Sequence, residues 1–371
     1  MPINLSPQEE EVIKIISPRK FHRVFTLPAT ENHDPLKVSF ALVGPEDGDV
    51  PTILLCDGMF SSRWHTIGYE HLAQKAGVRV VSIDRPGFGA STPVPLSSRL
   101  PIFLETVTAL LSFLGIKHVS LVSHSAGTVF ALNLLHHHPS LLSPTHPTLT
   151  LISPWVHQSQ TSVSFLVAAS SLPNPVLNYW DDVCGFIVNR ASPTLASSSG
   201  VLSAFAGVFG GKDGKNVEEE ERKCKEGYGI SLSVRKELEK MTSKYIFEEN
   251  TKGANDEARL CLKSTEGCGW DACEDYPEFV KNLKQSWEKK TDGEGGTGKL
   301  KVKIVFAEED AMIGKKGMEY FKGCWTQEKC GRGVEVECLQ IEGTDHDSVK
   351  NPDIGFMQSM FLTAKENGRS E

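Results

Sequence analysis

The chain has 371 residues, 39% hydrophobic, 23% charged and 8% aromatic. That balance excludes a disordered polymer, and against roughly 150 residues for an average domain it allows two domains or one with an insertion. A net charge of −8 without long basic runs argues against nucleic-acid partners, and no run reaches about 18 uninterrupted apolar residues, so no transmembrane segment is expected.

The N-terminus, MPINLSPQEEEVIKII, carries acids where a secretory signal has a basic region, and no Arg-rich transit pattern is visible. FHRVFTL (21–27) and LKVSFAL (36–42) alternate polar and apolar residues and read as antiparallel edge strands. PTILLC (51–56), VRVVSID (78–84), HVSLVS (118–123) and TLTLIS (148–153) are short apolar runs, as expected of strands buried on both faces. Helical segments are predicted between them near 66–76, 99–114 and 126–137. Phe103, Val107, Leu110, Leu111 and Leu114 give the middle one an apolar face. Strand–helix alternation of this kind predicts a mostly parallel sheet with helices on both sides.

The pattern breaks after Pro154. Residues 155–299 contain no convincing strand and are rich in Ser, Gly and mixed charge. Val234, Leu238, Met241 and Tyr245 recur at helical spacing, as do Phe279, Leu283 and Trp287. The reading is a helical insertion with mobile loops, closed by a flexible linker, DGEGGTGK, at 292–299. The apolar stretch VLSAFAGVFGG (201–211) could touch a membrane surface or cover a site, but the simplest reading is a loop. Strands then resume at 300–307 and 334–341, with helices near 315–323 and 353–364. The expected domains are a core of 1–154 plus 300–371, and an insertion of 155–299.

The nine cysteines are irregularly spaced. Cys261, Cys268 and Cys273 fall close together without CxxC pairs or a matching His pair. No metal site is expected, and reduced thiols in a cytoplasmic protein are the simpler reading. His136, His137 and His138 precede Pro139 at a helix end and read as solvated residues suited to the helix dipole.

The most informative peptide is Ser123-His124-Ser125-Ala126-Gly127, set between a strand and a helix. A Ser on a sharp strand-to-helix turn projects above the sheet edge, and the residues two before and two after it must be small. Ser123 stands where Gly is usual. The helix N-terminus directs N–H groups at the site.

The chain resembles the α/β-hydrolase fold family, in its branch with an inserted cap, over roughly 20–155 and 300–365. The resemblance rests on Asp57-Gly58-Met59-Phe60, Asp84-Arg85-Pro86-Gly87-Phe88-Gly89, Ser123 to Gly127, Ala307-Glu308-Glu309-Asp310 and Asp345-His346, in that order. It implies a mostly parallel eight-stranded sheet flanked by helices, with a helical cap. It also implies a catalytic Ser125, an acid at Asp310 and a base at His346. Ala307 replaces a usual Gly, and the rival carboxylates Glu308 and Glu309 read as solvated charges. The oxyanion donors implied are the backbone N–H groups of Ala126 and Met59. Asp57 stands where the family often has His, which puts support of that loop in question. The 84–89 segment reads as a tight Pro-Gly turn without chemistry, and His124 is given no catalytic role.

The activity so implied is serine hydrolysis of an ester or related acyl bond in a small-molecule substrate, without a cofactor. Family members that open epoxides or remove halogen use an Asp nucleophile, which Ser125 argues against. Thioesterases, amidases, carbon–carbon hydrolases and acyltransferases share the triad. The rival of another class is a catalytically silent binding or scaffold protein. Phe165, Leu166, Trp180, Phe205 and Phe209 are expected to contribute an apolar substrate pocket. Replacing 155–299 by a short linker is then expected to leave Ser125 reactive toward a small probe.

Overall fold

The computed structural model describes residues 5–163, 174–182, 217–265, 268–292 and 297–369. Its strands are β1 (Arg23–Leu27), β2 (Leu36–Val43), β3 (Thr52–Cys56), β4 (Arg79–Ile83), β5 (Ser120–His124), β6 (Thr148–Ile152), β7 (Leu300–Glu309) and β8 (Val334–Asp345). They form one eight-stranded sheet in the order β1-β2-β4-β3-β5-β6-β7-β8. β1 and β2 are antiparallel to their neighbours, as their alternation predicts, and β4, β3, β5, β6, β7 and β8 run parallel. β3 and β4 are buried at every residue, because helices cover both faces. The sheet separates two apolar clusters, one containing Phe103, Val107, Leu110 and Phe130, the other Leu72, Val80, Met357 and Phe361.

Parallel register places the carboxyl ends of β3, β5, β7 and β8 at one edge of the sheet, the edge where ligands bind in open α/β folds. Ser125 directly follows β5, Asp310 directly follows β7, and His346 directly follows β8.

One helix was not expected. Pro7–Ile16 starts at a capping box in which Ser6 and Glu9 satisfy each other's backbone N–H groups. Its Val12 and Ile16 are buried, so Glu9, Glu10 and Glu11 belong to a short amphipathic helix. The segment Leu96–Phe113 is long and apolar enough to cross a membrane by length and composition, although it holds no uninterrupted apolar run. Half of it is buried, and Phe103 meets Phe130 edge-on at 5.0 Å as part of the core.

The segment after β6 departs most from expectation. Its described helices are Asn174–Leu177, Val217–Tyr228, Leu232–Glu248, Gly253–Leu262 and Tyr276–Asp292. The helical spacing at 234–245 and 279–287 matches two of them. Tyr276–Asp292, however, belongs to the sheet's own packing layer. Phe279, Leu283 and Trp287 lie in one cluster with Leu300, Ile304 and Val334. The expected linker is docked where it is described: Gly298 donates to the Pro144 carbonyl at 2.7 Å and accepts from the Trp287 indole at 3.2 Å. The stretch 201–211, with Phe165, Leu166, Phe205 and Phe209, lies outside the described residues; Trp180 is half-buried.

Candidate active site

Ser125 has φ +49°, a left-handed conformation that few non-glycine residues adopt. Such a residue costs about 1–3 kcal/mol unless its surroundings impose it. Here they do. The Ser125 N–H donates to Ile152 at 3.0 Å, and its carbonyl accepts from Thr128 at 3.0 Å and Trp155 at 3.3 Å. The two small-residue requirements of this turn are unequal. A Cβ on Gly127 would lie 1.7 Å from the Cys56 carbonyl oxygen, so only glycine lets the helix approach β3. Ser123 is fully buried but has no positive φ, so a hydroxymethyl is tolerated where Gly is usual.

The structure brings Ser125, His346 and Asp310 together. The Ser125 Oγ lies 2.8 Å from His346 Nε2, and His346 Nδ1 lies 2.9 Å from both oxygens of Asp310. All three residues are buried. Asp310 is held in turn by the backbone N–H groups of Met312 at 3.0 Å and Ile313 at 2.8 Å. Burial opposes charge on Asp310, but His346 and the Ile313 N–H outweigh it and hold its carboxyl below the usual range. Burial likewise opposes charging of His346, but Asp310 prevails and raises the imidazole's pKa. Glu308 and Glu309 are exposed; Glu308 accepts from the Gly343 N–H.

Opposite this chain sit the two expected oxyanion donors. Ala126 is buried and opens the helix Gly127–His137, and Met59 is half-buried in the turn after β3. Among the described residues, neither backbone N–H is committed to an acceptor. Gly58 gives this turn its closeness to Ser125, since a Cβ there would sit 3.1 Å from His124 Nδ1 and 3.4 Å from Ser125 Cβ.

The question left by Asp57 has a structural answer. Its carboxylate accepts from Lys350 at 2.5 Å and from the Gly58 N–H at 2.8 Å, and lies 3.1 Å from His124 Nδ1. Burial works against its charge, but Lys350 and His124 hold its carboxyl well below the usual range. His124 Nε2 lies 2.8 Å from the His346 carbonyl. His124 is therefore a buried strut joining the turn that bears Ser125, the turn after β3 and the loop bearing His346. Its two partners are both acceptors, so a neutral imidazole can donate to only one of them. Burial and Lys350 depress its pKa.

His124, His346 and Asp347 bring possible metal-binding atoms within 4.8 Å of one another. The nitrogens of both histidines already face partners, so a cation there would dismantle the Ser125–His346–Asp310 chain.

The 84–89 turn carries more than a change of direction. Asp84 is buried and bound by Arg63, whose guanidinium also meets Glu249 at 2.5 Å. Arg85 reaches the carbonyls of Asp57 and Gly58. Arg85 also pairs with Glu257 at 2.5 Å, and sequence spacing offered no sign of either distant carboxylate, Glu249 or Glu257.

The fold is that of the α/β hydrolases: the family model for the alpha/beta hydrolase fold matches residues 51–180. Two curated proteins of Rattus norvegicus are similar to short parts of the chain. Bifunctional epoxide hydrolase 2 is 32% identical over 120 residues, 29% of this chain and 21% of that protein. Protein ABHD14A is 34% identical over 93 residues, 24% of this chain and 38% of that protein. The matches thus span about a fifth and two fifths of these relatives' lengths. Among solved structures, a putative lipase from Acinetobacter baumannii aligns with TM-score 0.55 and 14% identity, covering 99% of both chains. A structure from a study of carboxylesterases of the thaumarchaeon Nitrososphaera gargenis aligns with TM-score 0.51 and 13% identity, over 92% of this chain and 99% of that one. Epoxide hydrolase VrEH1 from Vigna radiata aligns with TM-score 0.51 and 14% identity, over 95% and 100%. Likeness at these identities concerns the fold.

Proposed function

We propose that the protein is a serine hydrolase cleaving an ester or related acyl bond of a small, hydrophobic substrate. The observation that carries this reading is the unbroken chain from Ser125 Oγ through His346 to Asp310. In this reading His346 takes the Ser125 proton as the hydroxyl attacks the carbonyl carbon. Asp310 holds the imidazole tautomer and stabilises its charged form. The N–H groups of Ala126 and Met59 receive the developing oxyanion. His346 then protonates the leaving group, and water, deprotonated by the same imidazole, releases the acyl group from Ser125. A serine at this position favours acyl transfer over epoxide opening, despite the epoxide hydrolases among the similar proteins.

A fluorophosphonate probe tests the reading. Labelling of the wild type that is lost in Ser125→Ala supports it. Equal labelling of both proteins, or none of the folded wild type, overturns it. The preference for a hydrophobic acyl group has its own readout in a p-nitrophenyl ester series. Each additional buried methylene should add about 0.8 kcal/mol, so kcat/KM should rise with chain length until the pocket is full.

A further inference from the structure

The turn after β3 is held at its carbonyl oxygens, locally by the Ser61 N–H on the Gly58 carbonyl at 3.2 Å and from outside the turn by Arg85. Arg85 is buried. Its Nη1 donates to the Asp57 carbonyl at 2.7 Å and its Nη2 to the Gly58 carbonyl at 2.5 Å. The peptide joining Gly58 to Met59 is planar and trans. Its N–H therefore points opposite to the carbonyl that Arg85 holds. Fixing the Gly58 oxygen thus fixes the direction of the Met59 N–H.

Arg85 cannot do this alone. A guanidinium buried without a counter-charge is strongly unfavourable. Its counter-charge is Glu257, itself buried, which meets Arg85 Nε at 2.5 Å and Nη2 at 2.8 Å. This paired contact leaves Nη1 and the rest of Nη2 facing the two carbonyls. Arg85 also lies over the Phe130 ring, 4.8 Å from its centre, which fixes the guanidinium plane.

Glu257 belongs to the segment inserted after β6, on the helix Gly253–Leu262. That helix is fastened to the 84–89 turn by backbone contacts. Gly253 donates to the Gly87 carbonyl at 3.0 Å, and Gly89 donates to the Asn250 carbonyl at 2.9 Å. A Cβ on Gly253 would lie 2.5 Å from the Pro86 carbonyl oxygen, so the approach is at its closest limit. Arg99 also reaches Glu257, at 3.0 Å, but among the described residues no hydrogen bond or ion pair joins it to residues 57–59.

We infer that Glu257 is a positioning residue for the oxyanion hole: through Arg85 it holds the 58–59 peptide so that the Met59 N–H faces the carbonyl being attacked. This rests on the serine-hydrolase reading. The inserted segment then serves catalysis directly, as the outer support of one transition-state donor.

The variants are Glu257→Gln, which keeps shape but removes the counter-charge, and Arg85→Lys, whose single ammonium cannot span two carbonyls and a carboxylate. Arg99→Lys is the control, since it alters the same ion cluster at a residue that forms no hydrogen bond with residues 57–59. Each is assayed on a p-nitrophenyl ester well below its melting temperature. Loss of a whole oxyanion donor costs roughly 10²–10³-fold in kcat. Misdirecting one should cost roughly tenfold to a hundredfold in Glu257→Gln and Arg85→Lys, with KM within about twofold. Affinity for an alkyl trifluoromethyl ketone, whose hemiketal oxygen occupies the same hole, should fall in parallel with kcat/KM. Arg99→Lys should keep both. If Glu257→Gln does not fold, Arg85→Lys carries the same test. The inference is overturned if kcat and ketone affinity are unchanged in the folded variants, or if Arg99→Lys loses as much. Wild-type protein that a fluorophosphonate labels at Ser125 while the variants behave normally sinks this inference alone; unlabelled wild type sinks the hydrolase reading with it.

Discussion

The two sides of the candidate site are built differently. On one side, Ser125, Asp310 and His346 each follow a strand of the parallel sheet directly, and the parallel register sets them at one edge, where short-range hydrogen bonds complete their placement. On the other, the turn bearing Met59 lies beyond the end of β3 at Cys56 and is propped from several directions. His124 and Lys350 hold the Asp57 carboxylate, Arg85 holds two carbonyls, and Glu257 balances Arg85 from the inserted segment. Aromatic contact adds to this, because Phe247 of the insertion lies 6.1 Å from Phe60, whose own φ is +60°. Side chains that follow parallel strands are placed by backbone hydrogen bonding. A turn has no such ladder, so its geometry must be supplied by side chains from elsewhere.

The largest test of this contrast removes the insertion. Replacing 155–299 by a short linker would delete Phe279, Leu283 and Trp287 from the core cluster. Each such side chain contributes about 1.5–3 kcal/mol on burial, and Arg85 would lose its counter-charge. The expected outcome is a chain without a cooperative thermal transition, rather than a core still reactive at Ser125. A soluble, cooperatively folding deletion variant with normal labelling would show that the two sides are independent after all.

On the triad side, Asp310→Asn should keep the fold and lower kcat by roughly 10³–10⁴-fold, since the imidazole loses the carboxylate that fixes its tautomer. Glu309→Gln should stay near wild type in the same ester assay, because Glu309 is exposed on the turn. Equal losses in the two variants would reassign the acid.

The smallest effect is on pH. His346 must be neutral to accept the Ser125 proton, and Asp310 raises its pKa above the ordinary value of 6.5. The acid limb of kcat/KM should therefore lie above that value in the wild type and move to lower pH in Asp310→Asn. The stability contribution runs the opposite way with pH. A raised folded-state pKa contributes stability that is complete below the unfolded pKa and is lost as pH rises through the folded one. An acid limb that does not move in Asp310→Asn would separate the pair that the structure shows joined.

Much of the triad side was legible in the chain because its cause is local. Short apolar runs mark the buried strands, and residues immediately after such strands fall at one sheet edge. Ser125 could be named from its own strand-to-helix turn, and Asp310 and His346 through the resemblance of their loops to those of the α/β-hydrolase family, before their 2.8–2.9 Å contacts were seen. Gly127 was legible for the same reason, although only the structure shows that it is required by the Cys56 carbonyl while Ser123 is free to differ. Pro7–Ile16 was missed because a ten-residue helix shows only two buried positions, Val12 and Ile16.

What the tertiary structure alone decided is long-range pairing of charges. Arg85 and Glu257 stand 172 positions apart, and Asp57 and Lys350 stand 293 apart. No periodicity links such residues, because a buried ion pair depends on where two backbones converge and not on local spacing. The division of 155–299 was hidden likewise. Phe279, Leu283 and Trp287 announce an apolar helix face, but which layer that face joins depends on the partner it meets. The sequence determines that a helix must bury that stripe; the neighbouring β7 and β8, which supply Leu300, Ile304 and Val334, decide that it lies in the core.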